Sequence, residues 1–246
     1  LSIVCLIITI ILYCLLPDLR NLPGKLTMGL SLSLILAQGL LILPNLPRPI
    51  CRYFAAVTHY SWLTVFMWMA VIAVNMLRTF HPKTMHGGSE WLGGNAFIRL
   101  SSICLISPAV LCIILTILDQ FPGGHLHVNY GQASCLWMSN IDGYIYMFFV
   151  PVGTVLLISS VCFCMTLYYI EKTMAATDMI TGRKRDRERC VMYIKLSSVM
   201  GFSWIFGFVA SFSNVEALWY VYIILNGLQG VFIFFSFGMT SRTRKM

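Results

Sequence analysis

Tyr53-Phe-Ala-Ala-Val-Thr-His-Tyr-Ser-Trp-Leu-Thr-Val-Phe-Met-Trp-Met-Ala-Val-Ile-Ala-Val-Asn-Met-Leu77 runs for 25 residues without an Asp, Glu, Lys or Arg. A hydrocarbon core of about 30 Å takes roughly 20 apolar residues as a helix, so this stretch is long enough to cross one. Transmembrane strands would alternate in polarity over about ten residues, whereas this run is apolar at nearly every position. Working outward, comparable runs fall at Leu1 to Leu16, Leu26 to Leu43, Ile98 to Leu118, Tyr144 to Ile170, Val191 to Phe212 and Leu218 to Phe237. With the first, that makes seven. The expected fold is an all-α membrane protein, a seven-transmembrane helix bundle.

Composition points the same way. Of 246 residues, 58% are hydrophobic and 11% charged, against about 25% charged in an ordinary soluble domain. A soluble globule is excluded, and so is a disordered chain, which needs charge and low hydrophobicity to stay solvated. Seven spans leave no room for a sizeable soluble domain, so residues 1–246 read as one membrane domain. Leu1 already lies in an apolar run without an initiating Met or a basic start. The first span is therefore expected to be truncated, with an extracellular ectodomain outside this sequence. The net charge of +8 would suggest nucleic acid in a soluble protein. Here it marks cytoplasmic loops instead, and no nucleic-acid partner is expected.

If the first run begins outside, Arg20, Lys25, Arg78, Lys83, Arg99, Lys172, Arg183, Lys184, Arg185, Arg187, Arg189, Lys195, Arg242, Arg244 and Lys245 all fall on one side. Only Arg48 and Arg52 fall opposite. The positive-inside rule then sets the N-terminus outside and the C-terminus in the cytoplasm. No charged residue sits in the middle of a span, which argues against proton pumps and ion-coupled transporters. The last run has no Lys, so a retinal Schiff base cannot form there.

Residues able to carry chemistry are few. Cys51 and Cys135 are the two cysteines on the outer side, in an oxidising compartment. A bridge between them would clamp the outer loop from Asp119 to Asp142 over the bundle; two free thiols are the alternative. Cys190, at the inner end of the sixth run, is a possible palmitoylation site or an idle thiol. His125 and His127 have a spacing that suits a metal, but no third ligand is evident, so they read as ordinary loop histidines. No nucleophile and base, or paired carboxylates, share a wet site. A non-enzyme without metal or cofactor is expected.

The third cytoplasmic loop ends in Gly182-Arg-Lys-Arg-Asp-Arg-Glu-Arg189. It sets topology and meets anionic membrane lipid, each cation contributing on the order of 1 kcal/mol. Arg183, Lys184, Arg185 and Lys195 are also the candidate contacts for a cytoplasmic partner. In the sixth run Gly201, Trp204 and Gly207 recur every three residues, so a large ring sits between two gaps near one helical face. In the seventh, Asn226, Gln229 and Gly230 share a face. These residues are either static packing or an activation switch in which the sixth helix bends against the seventh.

Met200-Gly-Phe-Ser-Trp-Ile-Phe-Gly207 and Asn226-Gly-Leu-Gln-Gly-Val-Phe-Ile-Phe234 resemble the sixth- and seventh-helix signatures of the secretin and adhesion class, class B, of G-protein-coupled receptors. Leu16-Pro-Asp-Leu-Arg-Asn-Leu-Pro-Gly-Lys25 and Trp68-Met-Ala-Val-Ile-Ala-Val-Asn75 to Thr79-Phe80 resemble the methuselah-like receptors within it. Gly131-Gln-Ala-Ser-Cys135 is similar to the approach to the family's bridging cysteine. Trp137 stands one residue later than the family's Trp, and Thr27 and Ile72 replace the His and Glu of the secretin receptors' polar lock.

The resemblance implies a multi-pass plasma-membrane receptor. It would convert binding of an extracellular or tethered ligand into activation of a heterotrimeric G protein through movement of the sixth helix. A seven-helix transporter or channel for a neutral solute, or an adhesion receptor without G-protein signalling, is the alternative.

Overall fold

The computed structural model describes residues 1–17, 20–42, 47–80, 95–120, 128–132, 135, 137–175, 206–207, 209–210, 213 and 215–235. Over these it is helical. α1 is Ser2–Leu15, α2 Leu22–Leu41, α3 Arg48–Phe80 and α4 Ala96–Leu118. α5 starts as Ile141–Tyr144, loosens into a π-turn over Ile145–Phe149 and continues as Val150–Ala175. α6, the seventh apolar run, is Glu216–Ile233. Of the sixth run, residues 206–207 and 209–210 are described and helical. Five of the helices are long and apolar enough to cross a membrane, and α1 is shorter at 14 residues.

Local chemistry sets the ends. Asn21 caps α2, its side-chain oxygen accepting the Gly24 N–H at 2.9 Å, and Pro23 lies in the first turn, where a missing N–H costs nothing. The helix therefore starts four residues before the apolar run. At the far end of α1, Arg20 folds back and donates to the carbonyls of Tyr13 and Cys14, groups a helix end leaves without partners.

α3 is the axis of the bundle. It packs against α2, α4 and α5, while α1 packs against α2 and α6. Its buried residues, among them Trp62, Val65, Phe66, Trp68 and Ile72, point in every direction around the helix. The outer helices instead turn Ile103, Ile106, Ile113 and Leu157 outward, apolar side chains suited to a hydrocarbon surround. Hydroxyls inside the bundle avoid isolation by donating to the carbonyl four residues back, as Thr58, Ser61, Thr64 and Thr166 do at 2.7–3.0 Å.

Candidate functional site

Among the described residues, two regions are built from polar contacts: the mouth at the Cys51 end of α3, and the seam beside α6.

At the mouth, Cys51 on α3 is joined to Cys135 by a disulfide, with the Cα atoms 4.4 Å apart. The loop so held is a narrow hairpin. Tyr130 and Met138 face each other as a β-bridge, Gly131 N–H donates to the Trp137 carbonyl at 3.1 Å, and Ser139 N–H to that of Asn129 at 3.2 Å. Gly131 has a φ of 69°, and a Cβ there would run into the backbone of Cys51. Only glycine lets the hairpin lie this close to the end of α3.

Asp119 fixes the base of the hairpin. Its carboxylate accepts from the N–H groups of Val128, Asn129 and Tyr130 at 3.1, 2.8 and 3.3 Å, and Arg52 Nε lies 3.7 Å away. Asp119 is the C-cap of α4, where the helix dipole disfavours an anion. Three backbone donors and one cation offset that. Arg52 is one of the two basic residues that the charge count sets apart from the other fifteen, and it lies beside this carboxylate.

Two aromatic side chains hang from the hairpin into the bundle. Trp137 packs edge-on against Phe148 and Tyr144 of α5, with ring centroids 5.0 and 6.0 Å apart. Tyr130 is buried, and its hydroxyl lies 2.7 Å from His59 Nδ1. Burial, then Cys112 and Asp119 nearby, pushes that hydroxyl above its ordinary titration range, so it keeps its proton. His59 is fully buried on α3, and its Nε2 lies 3.2 Å from the Met147 carbonyl of α5. A carbonyl only accepts, so Nε2 carries hydrogen; in the neutral ring Nδ1 is then the acceptor and Tyr130 the donor.

At the seam, Gln229 Nε2 donates to Asn226 Oδ1 at 2.8 Å, and Asn226 Nδ2 to the Tyr222 carbonyl at 2.9 Å. The expected amide face of α6 is therefore bonded within itself. Gln38 of α2 adds a bond to the Asn226 carbonyl at 3.2 Å. Gly207 sits against the Tyr222 ring, which a Cβ would approach to 2.8 Å. Gly230 faces away from it, toward α1, its N–H donating to Ser2 Oγ at 2.9 Å. Gly201, Trp204, Arg183, Lys184, Arg185 and Lys195 lie outside the described residues, as do His125 and His127. Among the described residues no group of three His, Cys, Asp or Glu side chains is placed to hold a metal.

Reasoning on the sequence found Cys51, Cys135 and the amides of α6. It missed His59, Asp119, Tyr130 and the role of Arg52. A histidine inside an uncharged span was the available signal, since an imidazole in hydrocarbon needs hydrogen-bond partners.

A bundle of membrane-length apolar helices with a loop stapled to its central helix defines a multi-helix membrane protein. The chain belongs to the 7 transmembrane receptor (Secretin family), which it matches over residues 1–233. It is similar to adhesion G protein-coupled receptor E1 of Homo sapiens, 26% identical over 95% of this chain and 26% of that protein. It is also similar to adhesion G protein-coupled receptor L1 of Homo sapiens, 25% identical over 95% of this chain and 15% of that protein. Probable G-protein coupled receptor Mth-like 11 of Drosophila melanogaster is 25% identical over 95% of this chain and 47% of that protein. The chain thus spans less than half the length of each of these relatives. Both branches named by the resemblance are represented. Membership implies a seven-helix bundle, a multi-pass plasma-membrane protein and a receptor rather than an enzyme.

Proposed function

We propose that this chain is the transducing bundle of a G-protein-coupled receptor, passing an extracellular or tethered ligand's binding to a heterotrimeric G protein. The observation that carries the reading is the family match across 1–233 on a bundle whose outer loop is covalently held to α3. The N-terminus is outside and the C-terminus cytoplasmic: the basic residues divide fifteen to two, and Cys51 and Cys135 are oxidised at the end carrying the minority. An agonist acts by differential affinity, shifting the population toward a form in which the inner half of the sixth helix has moved away. Gly201, Trp204 and Gly207 let that helix bend, Asn226 and Gln229 form the polar face it works against, and Gly230 seats α6 on α1 during the switch. Arg183, Lys184, Arg185 and Lys195 meet the G protein, and their neighbours meet anionic lipid.

The test is nucleotide exchange on purified G proteins with the receptor in lipid nanodiscs. Arg183→Gln, Lys184→Gln and Arg185→Gln together should lower exchange several-fold at matched receptor. Unchanged exchange leaves those residues a topological role alone, and no exchange with any G protein removes the reading.

A further inference from the structure

His59 touches three elements besides its own helix. Nδ1 takes the hydrogen bond from Tyr130 of the outer hairpin, and Cys112 Sγ of α4 lies 3.7 Å from the same nitrogen. Nε2 donates to the Met147 carbonyl of α5. That carbonyl is the one a regular helix would pair with the N–H of residue 151, and residue 151 is Pro. The gap that Pro151 leaves in the ladder of α5 thus lies beside a donor from α3, at a point where the π-turn Ile145–Phe149 has already shifted the register, the Val150 N–H pairing with the Ile145 carbonyl.

We propose that His59 is a positioning residue that couples the second outer loop to the proline break in α5. Tyr130 holds the imidazole by Nδ1, so Nε2–H stays aimed at the Met147 carbonyl. When the hairpin lifts, the ring loses its anchor, the carbonyl loses its donor, and α5 repacks about Pro151. Room for the second packing lies next to the break: an apolar cavity of about 180 Å³ is bounded by Pro151, Val152, Pro108 and Phe66. A loop movement that stays at the membrane surface thereby reaches into the first turns of a span through two hydrogen bonds, each weak enough to break and re-form. The device deepens the receptor reading, and its test contains no G protein, so failure of one is distinguishable from failure of the other.

The experiment is amide hydrogen exchange of the full chain in nanodiscs, read by mass spectrometry over α5. Tyr130→Phe, which removes one oxygen, should speed exchange around Pro151 by about three- to tenfold. His59→Phe should do the same, and the double variant should be no faster than the faster single one. Pro151→Ala restores an N–H for the Met147 carbonyl, and in that background Tyr130→Phe should leave α5 unchanged. Mild reduction of Cys51–Cys135 in the unaltered chain releases the hairpin without any substitution and should reproduce the faster exchange. The proposal is overturned by a response confined to the hairpin, by additive single effects, or by an α5 response that persists with Pro151→Ala.

Discussion

Ser2 Oγ accepts the Gly230 N–H at 2.9 Å, joining the first and last described helices. In a regular helix that N–H would pair with the Asn226 carbonyl, and this carbonyl takes a bond from Gln38 Nε2 at 3.2 Å. Both ends of one rung of α6 therefore have an outside partner, one on α1 and one on α2.

Ser2→Ala should consequently cost about 1 kcal/mol, the typical worth of such a bond in a membrane. Gly230→Val should cost more, about 1–3 kcal/mol from overpacking, because a Cβ at Gly230 would overlap Ser2. Thermal unfolding in nanodiscs measures both. A smaller loss for Gly230→Val than for Ser2→Ala would contradict the close approach.

The disulfide closes a loop across 84 positions, and Cys51→Ser should cost about 2–4 kcal/mol and sharply reduce surface receptor. Mass spectrometry of non-reduced peptides should find the Cys51 and Cys135 peptides joined. Alkylation of both thiols without reductant would remove the bridge.

Asp119 and Arg52 should respond unequally to substitution. Asp119→Ala leaves three backbone N–H groups without their acceptor and should cost about 2–4 kcal/mol. Arg52→Gln should cost under about 1 kcal/mol, since the Arg52 side chain is 37% exposed and the pair is 3.7 Å apart. A double-mutant cycle on thermal unfolding separates the ion pair from the backbone contacts.

In the sixth helix, Gly207→Leu should be harsher than Trp204→Ala, because only the former forces atoms into the Tyr222 ring. Trp204→Ala should leave surface level intact and change basal or agonist-driven exchange several-fold. Two variants that both fold and signal like the parent would reduce the motif to packing.

The spans were legible because hydrocarbon demands long apolar helices and little else makes them. Their ends were less so. The uncharged run at 53–77 stops short of α3, Arg48–Phe80, because a helix continues past Arg52 and Arg78 into the headgroups, where charge is welcome. Cys51 and Cys135 stood out since few residues are reactive and share a compartment. His59 and Tyr130 did not: 71 positions separate them, and each looks ordinary until folding sets one against the other. Asp119 was hidden in the same way. Its partners are backbone amides, which every sequence has.

With 33 residues, α3 is a rod of about 50 Å, some 20 Å longer than the hydrocarbon it crosses. It must tilt, project into water at both ends, or do both. A rod of that length pivoting at its middle turns a 5° rotation into a displacement of about 2 Å at either tip. One tip is bolted to the hairpin by Cys51. A small torque delivered there has a lever arm that ends in the opposite aqueous phase.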